Sequence, residues 1–271
     1  MKKKLITILM IICIVVAVGC GGYLAYYYIV SARSEGAVDQ LREQIGKVIT
    51  DDSVNPDNAP DTQSSDMVEI NGVKVQKKFA ALYKENPDFM GWLTIADTHI
   101  DYPVMYTPSS KEGGEYYIHR NYEGDYSAAG LPFIDSNCQI EPATDNVIIY
   151  GHNMNAGTMF HDLLLYEDQD FYESHKTFTF DTIYGDGEYE VVACFRAQIL
   201  SDDSDAFKYY EFVNAGSEDE FLTYVDEIKK MSIVDTGVDV QYGDKLVTLS
   251  TCAYHVTDGR FAVIAKKKEK R

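Results

Sequence analysis

Short runs of β-branched and aromatic residues constrain the fold of this chain more than any other feature. Eight such runs lie at residues 92–95, 100–105, 131–135, 146–150, 177–180, 188–196, 245–251 and 261–265. Gly, Pro, Asn and Asp separate most of them, and these residues interrupt strands and form turns. A series of about eight short strands with irregular loops predicts a closed or nearly closed antiparallel β-barrel.

Two helical patterns accompany the strands. Residues 76–86 carry apolar side chains at helical spacing and end before Pro87. Residues 217–231 show the same spacing, with Ser217 as the N-cap and Glu220 three residues later. The predicted fold class is therefore mostly β with accessory helices, one near the start of the domain and one inserted before the strand at 245–251.

The N-terminal region has the pattern of a membrane anchor. Residues 5–30 are apolar without a charged side chain, and at about 1.5 Å per residue this run is long enough to cross a bilayer core of about 30 Å. Three lysines precede it and only Arg33 follows closely. The positive-inside rule then predicts a cytoplasmic tail at 1–4, a transmembrane signal anchor at 5–30, and an extracellular remainder.

Two other fates for this segment stay open. A cleaved signal peptide needs a small-x-small site behind the apolar run, and none is cleanly placed there. A lipoprotein would be modified at Cys20, after Ala17-Val18-Gly19. Alanine fits poorly at the first of these positions, and the apolar run continues past Cys20, so the uncleaved anchor is favoured.

The part beyond the anchor divides in two. Residues 31–66 are predicted to be a juxtamembrane helix, with apolar residues spaced by three and four over 38–48, followed by an acidic linker from residue 51. The linker has too few apolar groups to offset its ordering entropy. Residues 67–271 form the predicted extracellular globular domain. The formal net charge of −19 excludes nucleic acid as a natural partner, because its phosphates would be repelled.

The number of cysteines predicts a free thiol outside the membrane. Two of the five cysteines lie in the apolar run, which leaves Cys138, Cys194 and Cys252 outside the membrane. An odd number cannot pair completely, so at least one thiol is free. A free thiol in an exposed setting is a liability unless it has a function.

Three polar residues at strand ends have complementary chemistry. Cys252 follows the run at 245–251, Arg260 precedes the run at 261–265, and His152 follows Gly151 at the end of 146–150. A thiolate is a nucleophile, imidazole transfers protons near neutral pH, and guanidinium stabilises an oxyanion. From spacing alone the alternatives remain open: Cys252 as a core residue, His152 as a polar loop residue, and Arg260 paired with Asp258.

Specific motifs resemble one enzyme family. "TLSTC" at 248–252, followed by an arginine that leads the last strand, and "YGHNM" at 150–154 are similar to the motifs of class B sortases, the membrane-anchored cysteine transpeptidases of Gram-positive bacteria. "NPDFMGWLTIADTHIDYPVMY" (86–106) and "NYEGDYSAAGLPFID" (121–135) also resemble class B segments. The similarity runs from about residue 76 to 266, and the helix at 217–231 matches the helical insertion of this class.

The resemblance implies a function as well as a sortase-type closed β-barrel. Cys252 would be the nucleophile, His152 the acid/base and Arg260 the oxyanion partner, with Ser250 lining the substrate groove. The substrates would be secreted proteins with a C-terminal sorting signal, cleaved after a threonine through a thioester and transferred to an amine of peptidoglycan. No cofactor and no metal is implied. His255 departs from the family pattern, which often has an acid there.

Other functions remain as alternatives. A sortase that polymerises pilin subunits would use the same residues. An L,D-transpeptidase is also an exported Cys/His wall enzyme, but it typically has Ser-His-Gly-Cys where this chain has Ser250-Thr251-Cys252. A binding lipoprotein anchored through Cys20 would need no catalytic thiol at all.

Overall fold

A computed structural model describes residues 2–52 and 66–269. The chain divides into two compact units, Met1–Gln40 and Leu41–Arg271, and each is described by itself. Helix α1 (Lys2–Asp52) is continuous, so the helical pattern at 38–48 belongs to it rather than to a separate short helix. It contains a segment long and apolar enough to cross a membrane by length and composition. Most of the predicted linker, residues 53–65, lies outside the described residues.

The remaining helices are α2 (Ala80–Glu85), α3 (Gln169–Ser174) and α4 (Glu218–Met231). The strands are β1 (Met67–Ile70), β2 (Val73–Gln76), β3 (Phe89–Thr94), β4 (Asp101–Tyr106), β5 (Phe133–Ile134), β6 (Asn146–Tyr150), β7 (Thr177–Thr182), β8 (Glu188–Gln198), β9 (Leu246–Cys252) and β10 (Gly259–Lys267).

Strands β3 to β10 form a closed barrel in the order β10-β8-β7-β3-β4-β5-β6-β9. Each of the eight predicted runs corresponds to one of these strands, which confirms the closed barrel. The expectation of purely antiparallel pairing is wrong, because β5 pairs parallel to β4 and β9 pairs parallel to β6. Parallel neighbours need a long crossover connection, and the chain supplies one between each of these pairs.

The hairpin formed by β1 and β2 was not predicted from the sequence. Its turn is Asn71-Gly72, and both residues have positive φ, at 52° and 83°. A two-residue Asn-Gly turn between short strands is the sequence signal that would have found it.

Helix α4 packs on the outside of the barrel. Its predicted apolar stripe is buried, and Ile228 and Phe221 have no exposed surface. Ser217 is the N-cap, and its hydroxyl accepts a hydrogen bond from the backbone N–H of Glu220 at 3.2 Å. The Glu220 carboxylate accepts from the N–H of Gly216 at 2.8 Å, one residue before the cap. The helix predicted at 76–86 is a 3₁₀ turn (Lys77–Phe79) that continues as α2.

Candidate active site

The parallel pair β6–β9 brings two predicted site residues to the same end of the barrel. Tyr150 is paired with Ser250, and the N–H of Gly151 donates to the carbonyl of Ser250 at 3.1 Å. The Thr251 hydroxyl donates to the Gly151 carbonyl at 2.7 Å. Because parallel strands run in one direction, His152 and Cys252, each two residues beyond the last pair, lie at the same end of the barrel.

The hairpin of β9 and β10 places Arg260 directly opposite Cys252. The two residues are register partners in this antiparallel pair, so their side chains are on the same face and close enough to interact. The Arg260 guanidinium donates through Nη1 to the carbonyl of Gly259 at 3.0 Å. Among the ion pairs of residues 2–52 and 66–269 none includes Arg260, so it is not paired with Asp258 and remains available to a ligand.

The orientation of His152 is set by a backbone acceptor. Its Nε2 lies 2.8 Å from the carbonyl oxygen of Ile118, in the 3₁₀ helix Tyr116–His119. A carbonyl only accepts, so Nε2 carries a hydrogen and Nδ1 is the nitrogen that gains or loses a proton. Burial lowers the pKa of His152 below its ordinary value, and neighbouring His119 acts in the same direction, while the hydrogen bond to Ile118 opposes them. The neutral form is therefore favoured in the free protein.

A groove of about 310 Å³ connects these groups. Its lining comprises Glu115, Ile118, Leu131, Phe133, Asp135, Tyr150, Gly151, His152, Ile199, Ser250, Thr251, Cys252 and Arg260. All four residues predicted from the sequence thus border one cavity. The apolar wall suits an extended peptide, and the thiol, imidazole and guanidinium are at one place along it.

A larger depression of about 1130 Å³ lies at the opposite end of the barrel strands. It is lined by acidic and basic side chains, including Glu188 at the start of β8 and Lys267 at the end of β10, together with Thr and Gly residues. Its lining includes no cysteine or histidine, so it lacks the nucleophile and the proton-transfer group that acyl transfer needs.

Ser250 lies in the floor of the groove. It borders the cavity, yet only 1% of its surface is exposed, and its hydroxyl is hydrogen-bonded to the Tyr209 hydroxyl at 2.8 Å. Burial raises the pKa of Tyr209 to about 12, so it remains a neutral phenol. Tyr209 belongs to the cluster that packs α4 on the barrel, together with Phe212 and Phe221. Helix α4 therefore supports the groove indirectly, through the contact of Tyr209 with Ser250.

Asn153 ties the histidine loop to the end of the cysteine strand. Its side-chain amide donates to the carbonyl of Cys252 at 2.9 Å, and its Oδ1 lies 2.7 Å from Nδ1 of His161. Asn153 is only 8% exposed, so these hydrogen bonds are shielded from water. The backbone positions of His152 and Cys252 are thereby coupled through one side chain.

The three cysteines of the second unit differ in reactivity. Burial raises the pKa of the Cys138 thiol to about 11 and raises that of Cys194 strongly, so both stay protonated and inert at neutral pH. Cys252 is partly exposed at the groove. Since the thiolate is the reactive form and must be reached by a substrate, Cys252 is the thiol with access to acyl chemistry.

Three supporting residues were missed in the sequence. Ile118 acts through its carbonyl, and a backbone acceptor has no side-chain signature. Tyr209 contacts Ser250 from 41 positions away, which no local pattern indicates. Asn153 does have a sequence signal. It follows His152 inside the "YGHNM" motif, so its polar side chain could have been recognised as part of the site.

Comparisons with known proteins identify the family. The chain is 37% identical over 191 residues to sortase B of Listeria monocytogenes serovar 1/2a, covering 70% of this chain and 73% of that protein. It is 26% identical over 266 residues to sortase B of Staphylococcus aureus NCTC 8325, covering 97% of each. The chain belongs to the class B sortases.

The solved structures agree with this assignment. The crystal structure of sortase B from B. anthracis in complex with AAEK1 matches with a TM-score of 0.70 and 27% identity, covering 90% of this chain and all of that one. No family model matches the chain. The predicted resemblance is confirmed, and this sortase is a cysteine transpeptidase with a closed eight-stranded barrel.

Proposed function

We propose that this class B sortase attaches secreted proteins to the cell wall, with Cys252 as its nucleophile. The observation that carries the proposal is the meeting of Cys252, His152 and Arg260 at one groove, from three strand ends. The substrates are secreted proteins with a C-terminal sorting signal, bound extended along the apolar wall. Ser250 belongs to the substrate-binding surface as part of the groove floor.

The first half-reaction forms a thioester. His152 accepts the proton of the Cys252 thiol at Nδ1. The resulting thiolate attacks the carbonyl carbon of the threonine in the sorting signal, and the carbonyl oxygen becomes an oxyanion. Arg260, opposite the cysteine on β10, donates hydrogen bonds to that oxyanion. The C–N bond then breaks, His152 in its protonated form gives a proton to the leaving amine, and the acyl group remains on the sulfur.

The second half-reaction transfers the acyl group. A primary amine of peptidoglycan attacks the thioester carbon, and neutral His152 accepts a proton from the attacking nitrogen. Collapse of the tetrahedral intermediate forms the new amide and releases Cys252 as the thiolate. His152 thus alternates between acid and base through one nitrogen, Nδ1, since Nε2 is engaged by Ile118.

The location follows from the same proposal. Helix α1 would span the membrane through residues 5–30, with residues 1–4 in the cytoplasm and residues 31–66 between the anchor and an extracellular catalytic domain at 67–271. The long apolar helix supports this arrangement, as do the three lysines before it. Both substrates of the reaction are outside the membrane, where this topology puts the groove.

A peptide-cleavage assay tests the function. The full-length chain in detergent is incubated with a peptide library in which one threonine is fixed, and with hydroxylamine as a small amine acceptor. We expect cleavage after the threonine and a hydroxamate product, both abolished in Cys252→Ala. Cys20→Ala is the matched control and should keep full activity. Cleavage by Cys252→Ala, or no cleavage of any library peptide by the wild type, would contradict the proposal.

A further inference from the structure

His119 makes a contact with His152 that the reaction described above does not use. The two imidazole rings are stacked, with centroids 5.1 Å apart and an angle of 16° between their planes. The preceding residue, Ile118, accepts the hydrogen bond from Nε2 of the same ring. Two consecutive residues therefore constrain one imidazole: Ile118 sets the direction of its N–H within the ring plane, and His119 sets the plane itself.

The segment that carries these two residues is itself held by backbone hydrogen bonds and close packing. The His119 carbonyl accepts from the N–H of Ser127 at 3.0 Å, and the Tyr117 carbonyl accepts from Leu131 at 3.0 Å. Gly130 has φ of 57° and lies so close that an added Cβ would be 2.3 Å from the Ile118 carbonyl oxygen. Such packing leaves little freedom for the Ile118 carbonyl or for the ring that follows it, which is the condition for a preorganised support.

His119 is also more exposed to solvent than His152. It is itself exposed and is not part of the groove lining, whereas His152 is partly buried and lines the groove. The ring of His119 therefore covers a face of His152 that would otherwise be open to water. The charged and titratable groups that line the groove with His152 are Glu115, Asp135, Tyr150, Cys252 and Arg260.

We propose that His119 is a positioning residue of this sortase, whose ring covers the outer face of His152 and holds the imidazole in the plane in which Nδ1 exchanges protons with the substrates. The inference rests on the proposed function, because it assumes that His152 is the acid and base. Ring coverage has two separable components: an apolar shield, which any flat ring supplies, and a titratable charge, which only histidine supplies.

The two components predict different titration behaviour. Shielding disfavours the charged imidazolium, so removing the cover raises the pKa of His152. A protonated His119 disfavours a second positive charge beside it, and both effects act in the direction that the pKa of His152 is displaced. His119→Ala removes both effects and should raise the pKa more than His119→Phe, which keeps the shield and removes the charge.

The test compares these variants with a matched control in the full-length chain. His119→Ala should lower kcat of peptide cleavage by about 10- to 100-fold, a part of the roughly 10²–10⁴ that acid–base catalysis contributes. KM should be unchanged, since His119 does not line the groove. His119→Phe should restore most of kcat. The control is His99→Ala, an exposed histidine whose ring is bonded to Asp162 instead, and it should behave as the wild type.

Nuclear magnetic resonance supplies the second readout. With ¹³C-labelled histidine and Cys252→Ala as background, the Cε1–H signal of His152 is followed against pH, so that the thiol does not titrate with it. A rise in the pKa in His119→Ala, smaller in His119→Phe, supports the proposal. The proposal would be overturned if His119→Ala had the kcat and the His152 titration of the wild type, or if both variants lost kcat equally. It would also be overturned if the loss of kcat were only as large as the loss of folded protein.

The same experiments separate this inference from the function it rests on. If Cys252→Ala is inactive and His119→Ala is normal, only the positioning role fails. If Cys252→Ala still cleaves the peptide, the proposed function fails, whatever the His119 variants do.

Discussion

At the scale of single residues, the role proposed for Arg260 depends on which property of its side chain is needed. Arg260 is opposite Cys252 on the neighbouring strand and forms no ion pair in the described part of the chain. Its guanidinium offers a planar set of donors, whereas lysine offers a point charge on a different stem. The substitution Arg260→Lys therefore tests whether the reaction needs directed hydrogen bonds or positive charge alone.

We expect Arg260→Lys to lower kcat by about 10²–10³, the typical loss for one oxyanion donor, or roughly 2.7–4 kcal/mol. The rate of Cys252 alkylation against pH should stay close to that of the wild type, because it reports thiolate formation without an oxyanion. Arg196→Lys is the control, since Arg196 pairs with Glu167 away from the groove. Near-normal peptide turnover in Arg260→Lys would rule out the oxyanion role.

At the scale of elements, the sequence predicts the strands well and their pairing poorly. All eight barrel strands are recognisable because each is a run of β-branched and aromatic residues between turn-forming residues. The parallel pairing of β6 with β9 is not recognisable, since β7, β8 and α4 lie between them in the chain. Yet this pairing brings His152 and Cys252 to the groove that both of them line. The motifs, rather than the strand patterns, are the sequence signal for these two residues.

The tight connection between β9 and β10 gives a prediction about Gly259. Its carbonyl accepts from the N–H of Ala253 at 3.0 Å, and an added Cβ would lie 2.1 Å from the Ala253 carbonyl oxygen. Gly259→Ala must therefore move backbone between the cysteine and arginine strands. We expect it to lower the free energy of unfolding by about 1–3 kcal/mol, the usual cost of overpacking, and to lower kcat/KM as well.

Urea denaturation and peptide cleavage, measured on the same preparation, check this expectation. The control is Gly185→Ala, because an added Cβ at Gly185 meets nothing within 4 Å. If Gly259→Ala were as stable and as active as Gly185→Ala, the connection would not be holding the pair in register.

At the scale of the whole molecule, the sequence separates charge sharply along the chain. The basic residues of the first 33 positions flank the uncharged apolar segment at 5–30, while all the acidic residues, which produce the net charge of −19, lie beyond that segment. With the proposed topology, this segment would keep the groove near the peptidoglycan that supplies the proposed amine acceptor. The alternatives of a cleaved leader or a lipid on Cys20 predict a different N-terminus.

We expect the protein to remain in the membrane fraction with its N-terminus intact, because no small-x-small cleavage site is cleanly placed behind the apolar run at 5–30. Protease added to intact protoplasts should degrade the catalytic domain, as the proposed topology places it outside. Fractionation and mass spectrometry of the N-terminal peptide provide the measurement, with Cys20→Ala as control. A secreted form that starts within residues 20–35, or a lipid on Cys20, would contradict the anchor.

The central claim is that Cys252 carries the acyl group during transfer. The most direct measurement is mass spectrometry of the full-length sortase, trapped with a cleaved library peptide at low amine concentration and then digested. We expect one acyl adduct, on the peptide that contains Cys252, and its loss on addition of hydroxylamine. An adduct on Cys138 or Cys194, or turnover without any thioester, would contradict the account.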